Sequence, residues 1–130
     1  AEAFWSAQVL PALRDGTRTL LTASVGGRIA GTVQLDCDTP PNQPHRAEVR
    51  KLLVHPQYRR RGIARALMLD LEHRARVAQR RLLTLDTRTG DAAEPLYASL
   101  DYRRAGVIPE FCLDVHGQRL DPTTIMYKLL

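Results

Sequence analysis

Apolar and polar positions recur along this chain in segments separated by glycine, proline and asparagine. Phe4, Trp5, Val9, Leu10 and Leu13 stand at helical spacing up to Asp15-Gly16, which predicts an amphipathic helix over Phe4–Leu13. Thr17–Val25 and Arg28–Cys37 are strand-like and flank Gly26-Gly27, so they predict a hairpin. Asp38–His45 carries three prolines and an asparagine, which is loop chemistry. Ala47–Val54 reads as a third strand, its second half apolar on both faces as in a covered central strand. Ile63, Ala66, Leu67, Leu71, Ala75 and Ala78 mark one face of a long helix ending near Gln79. Asp70 to Arg74 and Glu72 to Arg76 are spaced four apart, acid first, and are expected as ion pairs on its outer face.

The remainder alternates in the same manner. Arg81–Thr87 predicts a strand around Leu82-Leu83-Thr84-Leu85, broken by Thr89-Gly90-Asp91. Asp91, Glu94 and Pro95 signal the start of a short helix, Pro95–Leu100. Tyr102–Val107 and Thr123–Leu130 predict two late strands around a polar turn, Asp114–Asp121. That order gives an α/β (α+β) domain: a mixed sheet with helices on its faces.

Composition narrows the class. At 130 residues the chain is expected to be one domain, and 44% hydrophobic residues suffice for a core. No apolar run approaches the roughly 20 residues of a membrane helix, and no secretory signal is present. The sequence starts at Ala1, without methionine and directly in a helix-like pattern, which suggests that an N-terminal piece is missing. The net charge is +5, and the basic residues are arginines except for Lys51 and Lys128. They cluster between Arg46 and Arg81, a field that favours phosphate-bearing ligands. Five per cent aromatic residues and no nucleic-acid motif argue against a nucleic-acid partner. Cys37 and Cys112 are too few for a disulfide scaffold, so a reduced, cytoplasmic setting is expected. Neither cysteine has an evident activating partner, and His45, His55, His73 and His116 show no metal spacing, so no metal site is expected.

The densest candidate chemistry lies between Val49 and Ala64. A buried strand ends at Pro56, three arginines and Gly62 follow, and a helix begins at once. Unpaired amides at a helix N-terminus carry partial positive charge and bind anions such as phosphate. Small residues at Gly62 and Ala64 allow phosphates close to the backbone, and the loop sits at a strand's carboxyl end, where α/β sheets bind ligands. A solvated basic loop is the plainer alternative for this segment taken alone.

Leu53-Val54-His55-Pro56, Tyr58 to Ala64 and Leu67-Met68 resemble the acyl-CoA signature of the GCN5-related N-acetyltransferases (GNAT), with Arg59, Gly62 and Ala64 in its three marked places. The likeness extends through Glu48, Leu85-Asp86-Thr87, Ala93 to Leu100, Ile108 to Cys112 and Asp121-Pro122-Thr123, and looks closest to the tabtoxin-resistance-protein branch. It implies one domain over residues 1–130, short of the family's first strand and first helix, with a mostly antiparallel sheet and splayed central strands. It also implies acetyl-CoA as cosubstrate, with its pyrophosphate on Arg59, Arg60, Arg61, Gly62, Ile63 and Ala64 and its pantetheine on the backbone of Leu53 and Val54.

The chemistry so implied is direct acetyl transfer to the primary amine of a small molecule such as an amino-acid-like toxin or antibiotic. Tyr97 acts as general acid toward the leaving thiolate, and Glu48 or Asp86 as base through water, with Glu48 ranked first. Tyr97 on its own reads as an amphipathic core tyrosine, and either carboxylate as an arginine partner. A base is needed because an alkyl amine with a pKa of about 10.4 is protonated at pH 7, a penalty of roughly 4–5 kcal/mol. Two further readings share the fold: a non-catalytic acyl-CoA sensor, and an enzyme acting on a protein amine. Late strands that pair between subunits make a homodimer part of what the resemblance implies.

Overall fold

The computed structural model describes residues 5–11 and 17–130, with side chains from Thr17 onward. Strand β2 (Arg18–Val25) turns into β3 (Arg28–Asp36) at Gly26 and Gly27, whose φ values of 57° and 80° are left-handed and suit glycine. Strand β4 (Arg46–Val54) pairs antiparallel with β3 after the proline loop. Helix α1 (Ile63–Val77) then crosses back to β5 (Leu82–Arg88), which is parallel to β4. Helix α2 (Ala93–Ser99), β6 (Arg103–Leu113) and β7 (Leu120–Leu129) complete the chain.

The N-terminal expectation is corrected. Trp5–Pro11 is a strand, β1, paired antiparallel with β2 from Trp5↔Val25 to Pro11↔Thr19. Trp5, Ala7 and Val9 also alternate with Ser6 and Gln8, and pairing along the open edge of β2 decides in favour of that period over the helical one. The expected helix ends, Phe4 and Leu13, lie outside the described residues. The sheet runs β1-β2-β3-β4-β5-β7-β6, all antiparallel except β4 beside β5.

One face of the sheet is the core. Val33, Leu35, Ala47, Val49, Leu83 and Leu85 are buried together with Ile63, Leu67, Met68 and Leu71 of α1. Leu21 and Ala23 of β2 and Met126 of β7 extend that layer across the sheet. The alternate positions carry Gln34, Asp36, Arg46, Glu48, Arg50, Thr84 and Asp86, so the opposite face is polar where β3, β4 and β5 meet. No described helix is long and apolar enough to cross a membrane.

The two ion pairs expected on the outer face of α1 part ways. Asp70 and Arg74 meet at 3.3 Å. Glu72 is instead buried, 2% exposed, and its partners are Lys128 of β7 and Tyr102. The helix turns 400° over four residues, so one position of register decides whether a carboxylate faces water or the sheet.

Candidate functional site

Strands β4 and β5 are joined only at one end. Their parallel pairing covers Arg46↔Leu82, Ala47↔Leu83 and Glu48↔Thr84, then stops, while β4 stays on β3 to Val54↔Gly31. Between Thr32↔Leu53 and Gln34↔Arg50, three steps on β4 oppose two on β3, and Lys51 takes a left-handed φ of 55°. Such a bulge bends the strand and frees backbone groups. The expected splay is therefore present, and from Val49 to Val54 the β5 side of β4 opens into a gap. Gly31 makes the bend feasible: a Cβ there would meet the Leu53 carbonyl oxygen at 3.1 Å and Ile63 Cγ2 at 3.0 Å.

The loop after β4 is fixed locally. His55 Nδ1 accepts the Gln57 amide at 3.1 Å, and Pro56–Tyr58 forms a single 3-10 turn. Arg60 and Gly62 are left-handed, at φ 64° and 75°. Gly62 caps α1 through its own carbonyl, which accepts the Ala66 amide at 3.0 Å. Among the described residues no side chain caps this end, and no acid stands in the first turn, so it keeps its positive dipole end open. A Cβ on Gly62 would meet no described atom within 4 Å, so the backbone there is open to approach.

Val54, Arg59, Arg60, Gly62, Ile63 and Ala64 line one cavity of about 240 Å³, completed by Tyr58, Arg65 and Leu96. Leu53 lies outside it, 65% exposed, and the Arg61 guanidinium sits over the Tyr58 ring at 5.4 Å. Arg65 bridges the helices by donating to Ser99 Oγ at 3.0 Å.

Tyr97 stands next to Leu96 on α2 and is 5% exposed. Burial pushes its hydroxyl up to about 12, and the charges of Asp91 and Asp86 add to the shift. Its ring meets the Tyr102 ring edge-on, with centroids 5.6 Å apart.

Glu48 and Asp86 project from the polar face at the two sides of the parting strands, Asp86 two residues beyond Thr84. Neither lines the loop cavity. Arg50 Nη2 donates to Glu48 Oε2 at 3.0 Å and Arg50 Nε to Asp36 Oδ2 at 2.8 Å, while Arg18 reaches the same Asp36 oxygen at 3.0 Å. Arg46 gives its Nη1 to Thr84 Oγ1 at 2.7 Å and comes within 4.0 Å of Glu48. Asp86 Oδ2 accepts from Thr123 Oγ1 at 3.0 Å.

Asp36, Arg50, Gly31 and Tyr102 were not singled out from the sequence. The last of these lies beside a motif tyrosine, but only the fold shows that strands β3 and β4 place Asp36 opposite Glu48. Cys37 follows β3, which lies inside the sheet between β2 and β4. It is half-buried, and burial pushes its thiol up, which suits a structural residue more than a nucleophile. Among the described residues, no group of three or more His, Cys, Asp or Glu is arranged to hold a metal.

The family model described as the acetyltransferase (GNAT) family matches residues 2–102. Among solved structures, the IAA acetyltransferase of Bacillus cereus superposes with a TM-score of 0.80 at 14% identity, covering 98% of this chain and 100% of its own. A ribosomal-protein-alanine N-acetyltransferase from Brucella melitensis gives 0.77 at 23% identity, covering 87% of this chain and 69% of its own. A putative acetyltransferase from Salmonella typhimurium, solved with its cofactor acetyl-CoA, gives 0.77 at 20%, covering 87% and 65%. These likenesses are of fold.

Proposed function

Because the chain belongs to the GNAT family of acetyltransferases, we propose that its single domain transfers acetyl from acetyl-CoA to a primary amine in a ternary complex, in a reduced, cytoplasmic setting. The observation that carries this reading is the gap between β4 and β5 beside the uncapped start of α1, with Tyr97 one residue from the cavity wall. Free amides at Gly62, Ile63 and Ala64, with Arg59, Arg60 and Arg61 around them, suit a pyrophosphate. The freed backbone of Leu53 and Val54 suits a pantetheine amide.

In the reaction the amine nitrogen bonds to the acetyl carbon, the carbon–sulfur bond breaks, and the thiolate receives a proton. Tyr97, whose hydroxyl burial pushes up to about 12, stays protonated at neutral pH and supplies a hydrogen bond and then that proton to the sulfur. Glu48 draws the ammonium by its charge and, with Asp86 across the gap, passes its first proton to water before attack; the second, leaving the nitrogen of the tetrahedral intermediate, restores the Tyr97 hydroxyl. Arg50 fixes the orientation of the Glu48 carboxylate.

For the acceptor we favour a small amine, among them the amino-acid-like toxins and antibiotics suggested by the likeness to the tabtoxin-resistance branch. A protein N-terminal amine is the second reading, favoured by two structural neighbours named as ribosomal-protein-alanine N-acetyltransferases. Thiol release from acetyl-CoA, measured with free amino acids, polyamines, aminoglycosides and an alanine-starting peptide, distinguishes them. Tyr97→Phe is expected to lower kcat about 100-fold on the preferred amine. Full activity in that variant would remove Tyr97 from the mechanism, and acetyl-CoA binding without turnover on any amine would favour a sensor.

A further inference from the structure

Tyr97 is held from one side by a chain of contacts that the transfer reaction itself does not require. The Tyr102 amide donates to the Tyr97 carbonyl at 3.0 Å, and the two rings meet edge to face at 5.6 Å. The Tyr102 hydroxyl donates to Glu72 Oε2 at 2.9 Å, and Lys128 Nζ donates to Glu72 Oε1 at 2.9 Å. Lys128 also lies over the Tyr102 ring, 5.6 Å from its centroid. Tyr102 and Glu72 are 4% and 2% exposed, so neither ring nor carboxylate has water to exchange for these partners.

A tyrosine on a seven-residue helix has two side-chain torsions to fix before its hydroxyl meets a particular atom. The N-terminus of helix α2 has no side-chain cap, while its last turn is closed by the Leu100 amide and tied to α1 by Arg65 on Ser99 Oγ; none of these bonds fixes the Tyr97 side-chain torsions. The Tyr102 ring supplies a wall against the Tyr97 ring, and the hydrogen bond to Glu72 keeps that wall from turning. Glu72 in turn stands on α1, the helix whose N-terminus forms the loop cavity.

We propose that Tyr102, anchored by Glu72, is a positioning residue for Tyr97, holding the Tyr97 hydroxyl in register with the start of α1. The proposal rests on the reading of Tyr97 as general acid. Tyr102 touches no reacting atom, and its contribution is orientation, where displacements near 1 Å change rates by large factors.

The test is a double-mutant cycle in the full chain, with acetyl-CoA and the fastest amine of the panel above. Tyr102→Phe keeps the ring but releases it from Glu72. It is expected to lower kcat about tenfold, with KM for acetyl-CoA within about twofold of wild type. Tyr97→Phe/Tyr102→Phe is expected to be no slower than Tyr97→Phe alone, because there is no longer a hydroxyl to position. Ala75→Gly, in the buried C-terminal half of α1, serves as a control of lowered thermal stability and is expected to keep kcat.

The alkaline side of the rate profile provides a second readout. The groups around this pair are Asp86 on β5, Asp91 before α2, Glu72 and Arg76 on α1, and Lys128 on β7. Loosening the Tyr102 wall admits water to Tyr97, whose raised value owes most to burial, so the loss of rate with rising pH should begin earlier in Tyr102→Phe. Unchanged kcat in Tyr102→Phe, losses that multiply in the double variant, or an equal loss in Ala75→Gly overturns the proposal. Full activity in Tyr97→Phe overturns the general-acid reading instead. If Tyr102→Phe does not fold, Glu72→Gln keeps the volume and weakens the acceptor, and a loss confined to kcat, or its absence, decides the matter in the same way.

Discussion

Asp36 shows how much a single carboxylate organises. It is 3% exposed and accepts Arg18, Arg50 and the Asp38 amide. Burial works to raise its carboxyl, but the Asp38 amide and the two guanidinium groups outweigh it and hold it below the ordinary carboxylate range. A depressed value means that the folded state binds the proton less readily than the unfolded chain. The associated stability is therefore present above the unfolded value of about 3.9 and lost as pH falls through the folded one. Asp36→Asn is expected to cost about 1–2 kcal/mol at pH 7, the lower part of the range because both arginines reach water. Urea midpoints of wild type and variant, measured from pH 7 down to 3, should converge in acid. A gap that does not narrow at all between pH 7 and pH 3 would show that packing, not charge, is what Asp36 supplies. Activity should fall as well, since Arg50 holds Glu48 and Asp36 with the same guanidinium.

At the scale of elements, the bend of β4 depends on a residue of its neighbour. Gly31 lies where a Cβ would press on the Leu53 carbonyl as well as on Ile63 and Leu67, and the side chains can yield by a few tenths of an ångström more easily than the strand can. Gly31→Ala is expected to destabilise the fold by roughly 1–3 kcal/mol. By shifting Leu53 it should also weaken acetyl-CoA binding, measured by calorimetry on the folded variant. Unaltered affinity would mean that the β4 bulge is not part of the cofactor groove. Gly62→Glu should abolish that affinity at lower structural cost, because its side chain has open space but places a charge where phosphates are proposed, at a φ that disfavours any L residue.

Most of these elements were legible in the sequence because their periodicity and breakers agree: Gly26-Gly27, the prolines before His45, and the apolar face from Ile63 to Ala75. Trp5–Pro11 was misread because its few apolar residues fit two periods, and only the available edge of β2 chooses between them. That a loop rich in arginine and glycine leads straight into a helix was legible from residue order alone, and Arg59, Arg60, Gly62, Ile63 and Ala64 do line one cavity at the start of α1. The Asp36–Arg50–Glu48 cluster was not, since its members come together only through the register of β3 on β4. Glu72 was misplaced for a related reason, as helical spacing names neighbours on the helix but not the strand packed beneath it.

Over the whole molecule, the Glu72–Lys128 pair ties the first helix to the last strand, 56 residues apart in sequence. The Lys128 side chain is 17% exposed and that of Glu72 only 3%, so the charges are paired largely away from water. Burial, followed by the Glu72 charge, pushes the Tyr102 hydroxyl up and keeps it a donor to the same carboxylate. Replacing one partner leaves the other's charge uncompensated, which costs more than the pair contributes. Lys128→Met should therefore lower stability by roughly 3–5 kcal/mol. For a chain of this length that is a fall in Tm of about 10–20 °C. Glu72→Leu/Lys128→Met removes both charges and should recover much of the loss, although the Tyr102 hydroxyl then lacks its acceptor. Calorimetric melting of the two variants checks this: a single variant within about 2 °C of wild type would mean that Glu72 finds water or another cation when Lys128 is gone.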